Sequence, residues 1–371
     1  MTDTIPDGTT ASPEISRAEL ALATRNHGMP LETLQRDITP VGLHYLLIHY
    51  DIPFVDPAQW SLTIAGTVDA PLTLSLNDLH GRPAVTMPVT MECAGNGRTL
   101  FSPRAISQPW GLEAVGTAAW TGTPLAPLLQ EAGLRHDTVE VVFAGMDQGL
   151  EGGIVQRYER SLTVDEAMRD DVLVAYAVNG QPLPPQHGFP ARLLVPGWYG
   201  MASVKWLSEI TAVAQPFEGH QMLKSYRLRQ ESDEPGTPLN LIAVRSLMAP
   251  PGIPEFASRR RHVPAGGCRV TGRAWSGAGR IERVEVSADL GQTWADAQVD
   301  PPPGPYAWQA WSYEWKPATT GETELWCRAT DGVGNTQPLE PAWNLGGYAA
   351  NAVQRVAVTV DNLNALPASP A

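Results

Sequence analysis

The stretch Gly266–Ser287, GGCRVTGRAWSGAGRIERVEVS, decides how the chain is divided. Cys268 to Ala274 and Ile281 to Ser287 interleave apolar and polar residues, as half-buried strands do. Ser276-Gly277-Ala278-Gly279 between them supplies turn residues. The pattern then repeats: Ala307 to Trp315, Glu322 to Thr330 and Val353 to Val360 also read as strands, with Asp331-Gly332-Val333-Gly334-Asn335 as a further turn. Short strands at this spacing predict an all-β sandwich of immunoglobulin-like type. Trp275, Trp294, Trp308, Trp311, Trp315 and Trp326 are its core and interface candidates.

Upstream the pattern is mixed. Trp60 to Gly66, Val139 to Ala144 and Val172 to Val178 read as strands, the last followed by the turn dipeptide Asn179-Gly180. Ser75 to Leu79 opens a short helix, and Leu125 to Ala132 forms another that Gly133 stops. This half is α+β, so the whole chain is expected as an α+β domain followed by an all-β one. Residues 216–262, rich in Pro, Arg and Glu, read as the connection. The expected organisation is a flexible segment over 1–20, a first domain over 21–235 and a second over 236–371.

The 371 residues suit two cores better than one. A net charge of −13 argues against a nucleic-acid binder, which needs a basic face. Cys93, Cys268 and Cys327 are too few and too scattered for a disulfide framework, a zinc site or a CxxCH haem attachment. Reduced thiols imply a cytoplasmic protein. Met1 to Pro13 has neither the basic nor the apolar region of a secretory leader, and a leader already removed would mean the periplasm. No apolar run approaches the length of a membrane span.

Cys93 stands in Met91-Glu92-Cys93-Ala94-Gly95-Asn96-Gly97-Arg98-Thr99, after the extended apolar stretch from Val85. A free cysteine is commonly a small buried hydrophobe. Here small residues permit close approach of a ligand, and Arg98 favours the thiolate, which suits a soft metal. Three further clusters carry cations or hydrogen-bonding groups beside turns: Arg25-Asn26-His27-Gly28, His187 to Arg192, and Ser203-Val204-Lys205-Trp206. If the last is a strand, Ser203 and Lys205 share a face. Each alone is compatible with a solvated surface. Together, in an acidic chain, they fit a phosphate-bearing cofactor.

At these residues the chain resembles the sulfite oxidase family of molybdenum enzymes. The likeness runs over about residues 22 to 362 and includes Asn179 to Pro184, Ala274-Trp275-Ser276-Gly277, Ser287 to Trp294 and Trp343-Asn344-Leu345. It implies a molybdopterin-binding α+β domain, an immunoglobulin-like dimerisation domain and a homodimer. Cys93 would ligate one molybdenum per chain. Asn26, His27, Asp147, His187, Arg192, Ser203, Val204 and Lys205 would hold the pterin and its phosphate. Arg25, Arg98, Trp110 and Tyr226 would line the substrate pocket, Tyr226 lying 21 residues after Lys205 as the family has it.

The implied reaction is oxidation of sulfite to sulfate, with no haem in the chain and electrons passed to an external acceptor such as oxygen or a cytochrome. Two positions depart from the family pattern. Gly97 precedes Arg98 where a second arginine is common, and Gly346 stands after Trp-Asn-Leu where vertebrate and plant members carry an arginine. These departures keep open a family relative acting on another S-oxide, N-oxide or oxyanion. A non-enzymatic β-sandwich binding protein is the alternative of another class.

Overall fold

Strands make up most of the regular backbone, and the longest helix among the described residues, Arg17–Arg25, has nine residues. In the computed structural model, which describes residues 10–11 and 15–362, the chain divides into two compact units. The first holds the chain up to Met29, Pro40–Ile242 and Ala342–Ala350. The second holds Pro30–Thr39, Ala243–Pro341 and the chain from Asn351. The two short excursions, Pro30–Thr39 and Ala342–Ala350, have no cue in composition.

The first unit is built on two five-stranded sheets. One runs Gln181–Pro182, Leu173–Val178, Val115–Pro124, Val85–Glu92, with Arg192–Leu194 also paired to Leu173–Val178. The other runs Leu72–Ser75, Ser61–Gly66, Leu207–Val213, Glu140–Glu151, Ile154–Thr163. Leu62, Ile64, Phe143, Val174, Leu193 and Ile210 bring both sheets into one fully buried core. The short helices follow from local chemistry. Ser75 caps Leu76–His80 in a capping box with Asp78, and Leu125–Ala132 ends at Gly133 with φ 70°. Val85–Glu92 pairs with Val115–Pro124 along its whole length, so Cys93 is delivered just past the end of a braced strand.

The second unit is a sandwich of a four-stranded and a six-stranded sheet. Val270, Val284, Trp311, Leu325 and Cys327 fill its core. All five strands expected here form, Ile281–Ser287 with the expected bounds. Trp275, Trp308, Trp311, Trp315 and Trp326 are buried, and Trp294 is half-buried.

Three expectations need correction. Residues 216–262 are more than a connection. They hold the helix His220–Leu223, the hairpin Arg227–Leu228 with Thr237–Pro238, and the buried strand Arg245–Ala249. That strand hides in the sequence because Arg245 and Ser246 are polar yet buried; the Ser246 amide donates to Gln337 Oε1 at 2.7 Å. The flexible segment drawn over 1–20 lies partly outside the described residues. From Arg17, however, the chain is helical, capped by Ser16 and tied down by buried Glu19, which pairs with Arg104. Ser203 to Trp206 is not strand: Gly200–Ala202 is a short 3-10 turn, Trp206 has φ 50°, and regular pairing begins at Leu207. Among the described residues no helix is long and apolar enough to cross a membrane.

Candidate active site

Cys93 continues the ladder that delivers it: its amide donates to Ala114 O at 2.9 Å. The chain then turns back, with the Asn96 amide on Cys93 O at 2.9 Å and the Arg98 amide on Gly95 O at 3.0 Å. Asn96 fixes the turn from within, accepting from the Ala114 amide at 3.0 Å and donating to Glu92 Oε1 at 3.0 Å. Gly95 is required by close approach, since a Cβ there would lie 2.5 Å from the Arg98 guanidinium. Arg98 is buried; Nη1 donates to Gln108 O at 2.8 Å and Nε to Gly346 O at 3.3 Å. The thiol is buried, and that burial holds it above its ordinary pKa despite Arg98, the Gly95 amide and Trp110. Arg98 acts in the expected direction, lowering the thiol's pKa, and burial is the larger cause.

Cys93 lies on the wall of a partly open cavity. Asp147, His187, Arg192, Ser203, Lys205 and Tyr226, far apart in sequence, reach the same cavity. Arg192 is buried and gives its protons to backbone only, His187 O at 3.2 Å and Ser203 O at 2.9 Å. Lys205 Nζ donates to Leu47 O at 2.7 Å and Gln186 O at 3.3 Å. Burial, with Arg192 beside it and Asp147 opposing, pushes Lys205 down to about 7; Arg192 falls to about 10 through burial. Carbonyls do not cancel these charges, and no carboxylate among the described residues pairs with either within ion-pair distance. Asp147 is itself buried, with Oδ1 unpartnered and its carboxyl pushed up to about 6 by burial.

The remaining sequence candidates fall elsewhere. Arg25 faces outward at the end of its helix, half exposed, bonded to Tyr50 O at 2.9 Å and to Asp51. His27 is exposed. Asn26 is buried but committed, accepting from the Ile48 amide at 2.7 Å and donating to Gln108 Oε1 at 3.0 Å. The Val204 side chain packs into the core. Trp110 sits against the Cys93 thiol.

Sequence reasoning missed His44, Tyr45, His49 and Tyr158, all on the cavity wall. His49 Nε2 meets Tyr226 OH at 2.7 Å, and the His44 and His187 rings pack edge to face at 5.7 Å. Burial drives His44, His49 and His187 to about 4, 3 and 2, so all three are neutral at pH 7. His44, Tyr45 and His49 share one short segment without a turn or motif to mark it, and Tyr158 is far along the chain, so they carry no signal until the fold brings them together.

This arrangement fits a molybdopterin. Cys93 offers one soft ligand. Among the described residues no three His, Cys, Asp or Glu side chains cluster as a metal cage, so a metal here takes its other ligands from a bound organic group. The uncompensated Arg192 and Lys205 suit an anionic phosphate on that group.

Comparison with known proteins agrees. A family model described as "Oxidoreductase molybdopterin binding domain" matches residues 49–221, and "Mo-co oxidoreductase dimerisation domain" matches residues 240–361. Mitochondrial sulfite oxidase of Mus musculus is 35% identical over 343 residues, covering 87% of this chain and 62% of that protein. Nitrate reductase [NADH] 1 of Oryza sativa subsp. japonica is 33% identical over 351 residues, covering 87% and 38%. The chain thus spans about three fifths of the first of these relatives and less of the second. Among solved structures, the sulfane dehydrogenase SoxCD of Paracoccus pantotrophus aligns with a TM-score of 0.76 at 26% identity, covering 90% of this chain and 86% of that one.

Proposed function

We propose that this chain, which belongs to the sulfite oxidase family of molybdopterin-dependent oxidoreductases, oxidises sulfite to sulfate and passes the electrons to an external acceptor such as oxygen or a cytochrome. The carrying observation is the cavity that unites the Cys93 thiol with the buried Arg192 and the half-buried Lys205, neither of which lies within ion-pair distance of a carboxylate among the described residues. In balance, sulfite and water give sulfate, two protons and two electrons.

The bound cofactor supplies oxygen-atom transfer and two-electron storage. Cys93 is assigned as its thiolate ligand. Arg192 and Lys205 hold the phosphate, with His187 and Ser203 beside them on the same wall. Arg98 and Tyr226 are assigned to the substrate. Arg98 is fixed by two carbonyls, so it presents a positioned charge rather than a mobile one. Burial raises the Tyr226 phenol well above its ordinary value, so it remains protonated. Its hydroxyl, shared with neutral His49, is placed to donate to an oxyanion or to relay a proton. Burial of the cavity keeps water from screening these charges.

We read the second unit as an immunoglobulin-like dimerisation domain and the partner as a second copy of the chain. The match of residues 240–361 to a dimerisation domain supports this. The function is tested by steady-state oxidation of sulfite with oxygen, cytochrome c and ferricyanide side by side. Turnover with at least one acceptor is expected; molybdenum-loaded protein inert with all three contradicts the substrate assignment. One observation favours a second reading. Gly346 removes a family arginine, and the Tyr348 ring lies 2.3 Å from where a residue-346 Cβ would be. A pocket so altered suits a different S-oxide, N-oxide or oxyanion, which a substrate panel with a dye acceptor would identify.

A further inference from the structure

Arg160 is a buried cation beside the cavity that the reading above leaves without a role. On the strand Ile154–Thr163, Tyr158 and Arg160 are two residues apart and share a face. Tyr158 lines the cavity. Arg160 is 3% exposed, and its guanidinium lies 5.6 Å from the centroid of the Tyr226 ring. Nη1 donates to Gln221 O, while Nε has no hydrogen-bond partner. No carboxylate among the described residues lies within ion-pair distance of it. Tyr348 also packs against Tyr226, ring centroids 5.4 Å apart, and Arg98 lies 5.4 Å from the Tyr348 centroid.

We infer that Arg160 is a positioning residue for the substrate anion, acting through Tyr226 and replacing the positive field that the chain lacks at Gly346. This rests on the sulfite-oxidation reading above. A guanidinium over the face of a phenol, in a water-poor site, makes that phenol a stronger donor toward an anion. It also adds an attractive field at the anion itself. The bond to Gln221 O explains how Arg160 is held but not why a charge is kept there, since a neutral amide would make the same bond. The field acts on any oxyanion in the pocket, so it is expressed in binding of both sulfite and sulfate rather than in the transfer step alone.

The test uses the full-length, molybdenum-loaded chain with ferricyanide as acceptor. Arg160→Gln is expected to raise KM for sulfite and the inhibition constant of sulfate together, by about tenfold, with kcat within about threefold. Arg160→Lys, which keeps the charge, is expected to recover most of both. A merely structural role would lower molybdenum content and melting temperature without moving the two anion constants in parallel. Both constants staying within about twofold of wild type in Arg160→Gln overturns the inference. Should that variant not fold, Arg160→Met, which keeps the stem packed over Tyr226, is held to the same criteria. A separate arm measures the rise in melting temperature caused by sulfate. If wild type does not oxidise sulfite yet sulfate stabilises it and Arg160→Gln abolishes that rise, the sulfite reading falls and the inference stands. If sulfite is oxidised and the variant is indistinguishable, the inference alone falls.

Discussion

Several arginines of the second unit close on carboxylates; the cations around the cavity of the first unit do not. On the six-stranded sheet, Arg328 and Arg283 both close on Glu285, at 2.8 and 2.7 Å; on the four-stranded sheet, Arg273 closes on Asp37 at 3.0 Å. Around the cavity, Arg98, Arg160, Arg192 and Lys205 are buried or nearly so, donate to backbone carbonyls, lie over aromatic rings, and have no carboxylate within ion-pair distance among the described residues. A paired charge closes its own field and can be purely structural. An unpaired buried cation costs several kcal/mol and persists where an absent anion offsets it. The contrast separates arginines that close on carboxylates from those assigned above to an anionic ligand.

The sharpest way to break the contrast is at the thiol. Cys93→Ser should leave a folded chain, because the side chains are nearly the same size, yet reduce sulfite oxidation by at least about 100-fold with loss of bound molybdenum. Metal analysis beside the steady-state assay checks this; a serine variant that keeps full metal removes Cys93 from the site.

Next in size is a paired cation. Arg104 and Glu19 form a buried pair in the first unit. Arg104→Ala strands Glu19 and should cost about 3–5 kcal/mol in urea unfolding at pH 7. Burial raises the Glu19 carboxyl, but hydrogen bonds from Arg104 and Ser16 outweigh it and leave the pKa lowered. A folded pKa below the unfolded one stabilises above the unfolded pKa and is lost as pH falls through the folded value. The variant's deficit should therefore shrink in acid; a deficit that grows in acid contradicts the pairing.

The unpaired set predicts a pH effect in a different, alkaline window. Lys205 is held near pH 7 in the cofactor-free chain, against about 10.4 when unfolded. Between those values the unfolded chain binds a proton that the folded chain has released, so stability of the cofactor-free protein rises with pH across that window. Urea midpoints at pH 7, 8 and 9 should show this rise, and Lys205→Met should lack it. A slope equal in both proteins would place Lys205 outside the buried cluster. The smallest effect belongs to a partly exposed pair: Arg82 bridges Glu131 at 2.6 Å, and Arg82→Ala should cost no more than about 1 kcal/mol by denaturant unfolding. A larger loss would mean that burial does not sort these pairs.

What the sequence reveals follows the same division. The strands of the second half were legible because alternation and turn glycines repeat over short distances. Cys93, His187, Arg192 and Lys205 were legible because chemistry-bearing residues recur beside turns. Arg245–Ala249 was not, since its polar residues are buried and long-range amides satisfy its backbone. Pro30–Thr39 was not, because its partners are far along the chain: Arg273 and Trp308 reach the carbonyls of Arg36 and Asp37. Arg160 reads as one more surface arginine until the neighbouring side chains reveal no carboxylate. The Tyr348 ring fills the space beside Gly346. Arg25 erred in the other direction, as a plausible motif member that the helix end turns outward.

The central claim is that unpaired buried cations beside Cys93 exist to hold an anionic molybdenum cofactor. Its most direct test is the molybdenum and pterin content of the purified chain with and without Arg192→Met, a change that removes the charge but keeps an apolar stem. The account predicts about one molybdenum per wild-type chain, and in the variant less than about a tenth of that, with the cofactor-free variant at least as stable as cofactor-free wild type. A variant that retains full molybdenum and pterin, or a wild-type chain that acquires neither when both are supplied, would contradict it.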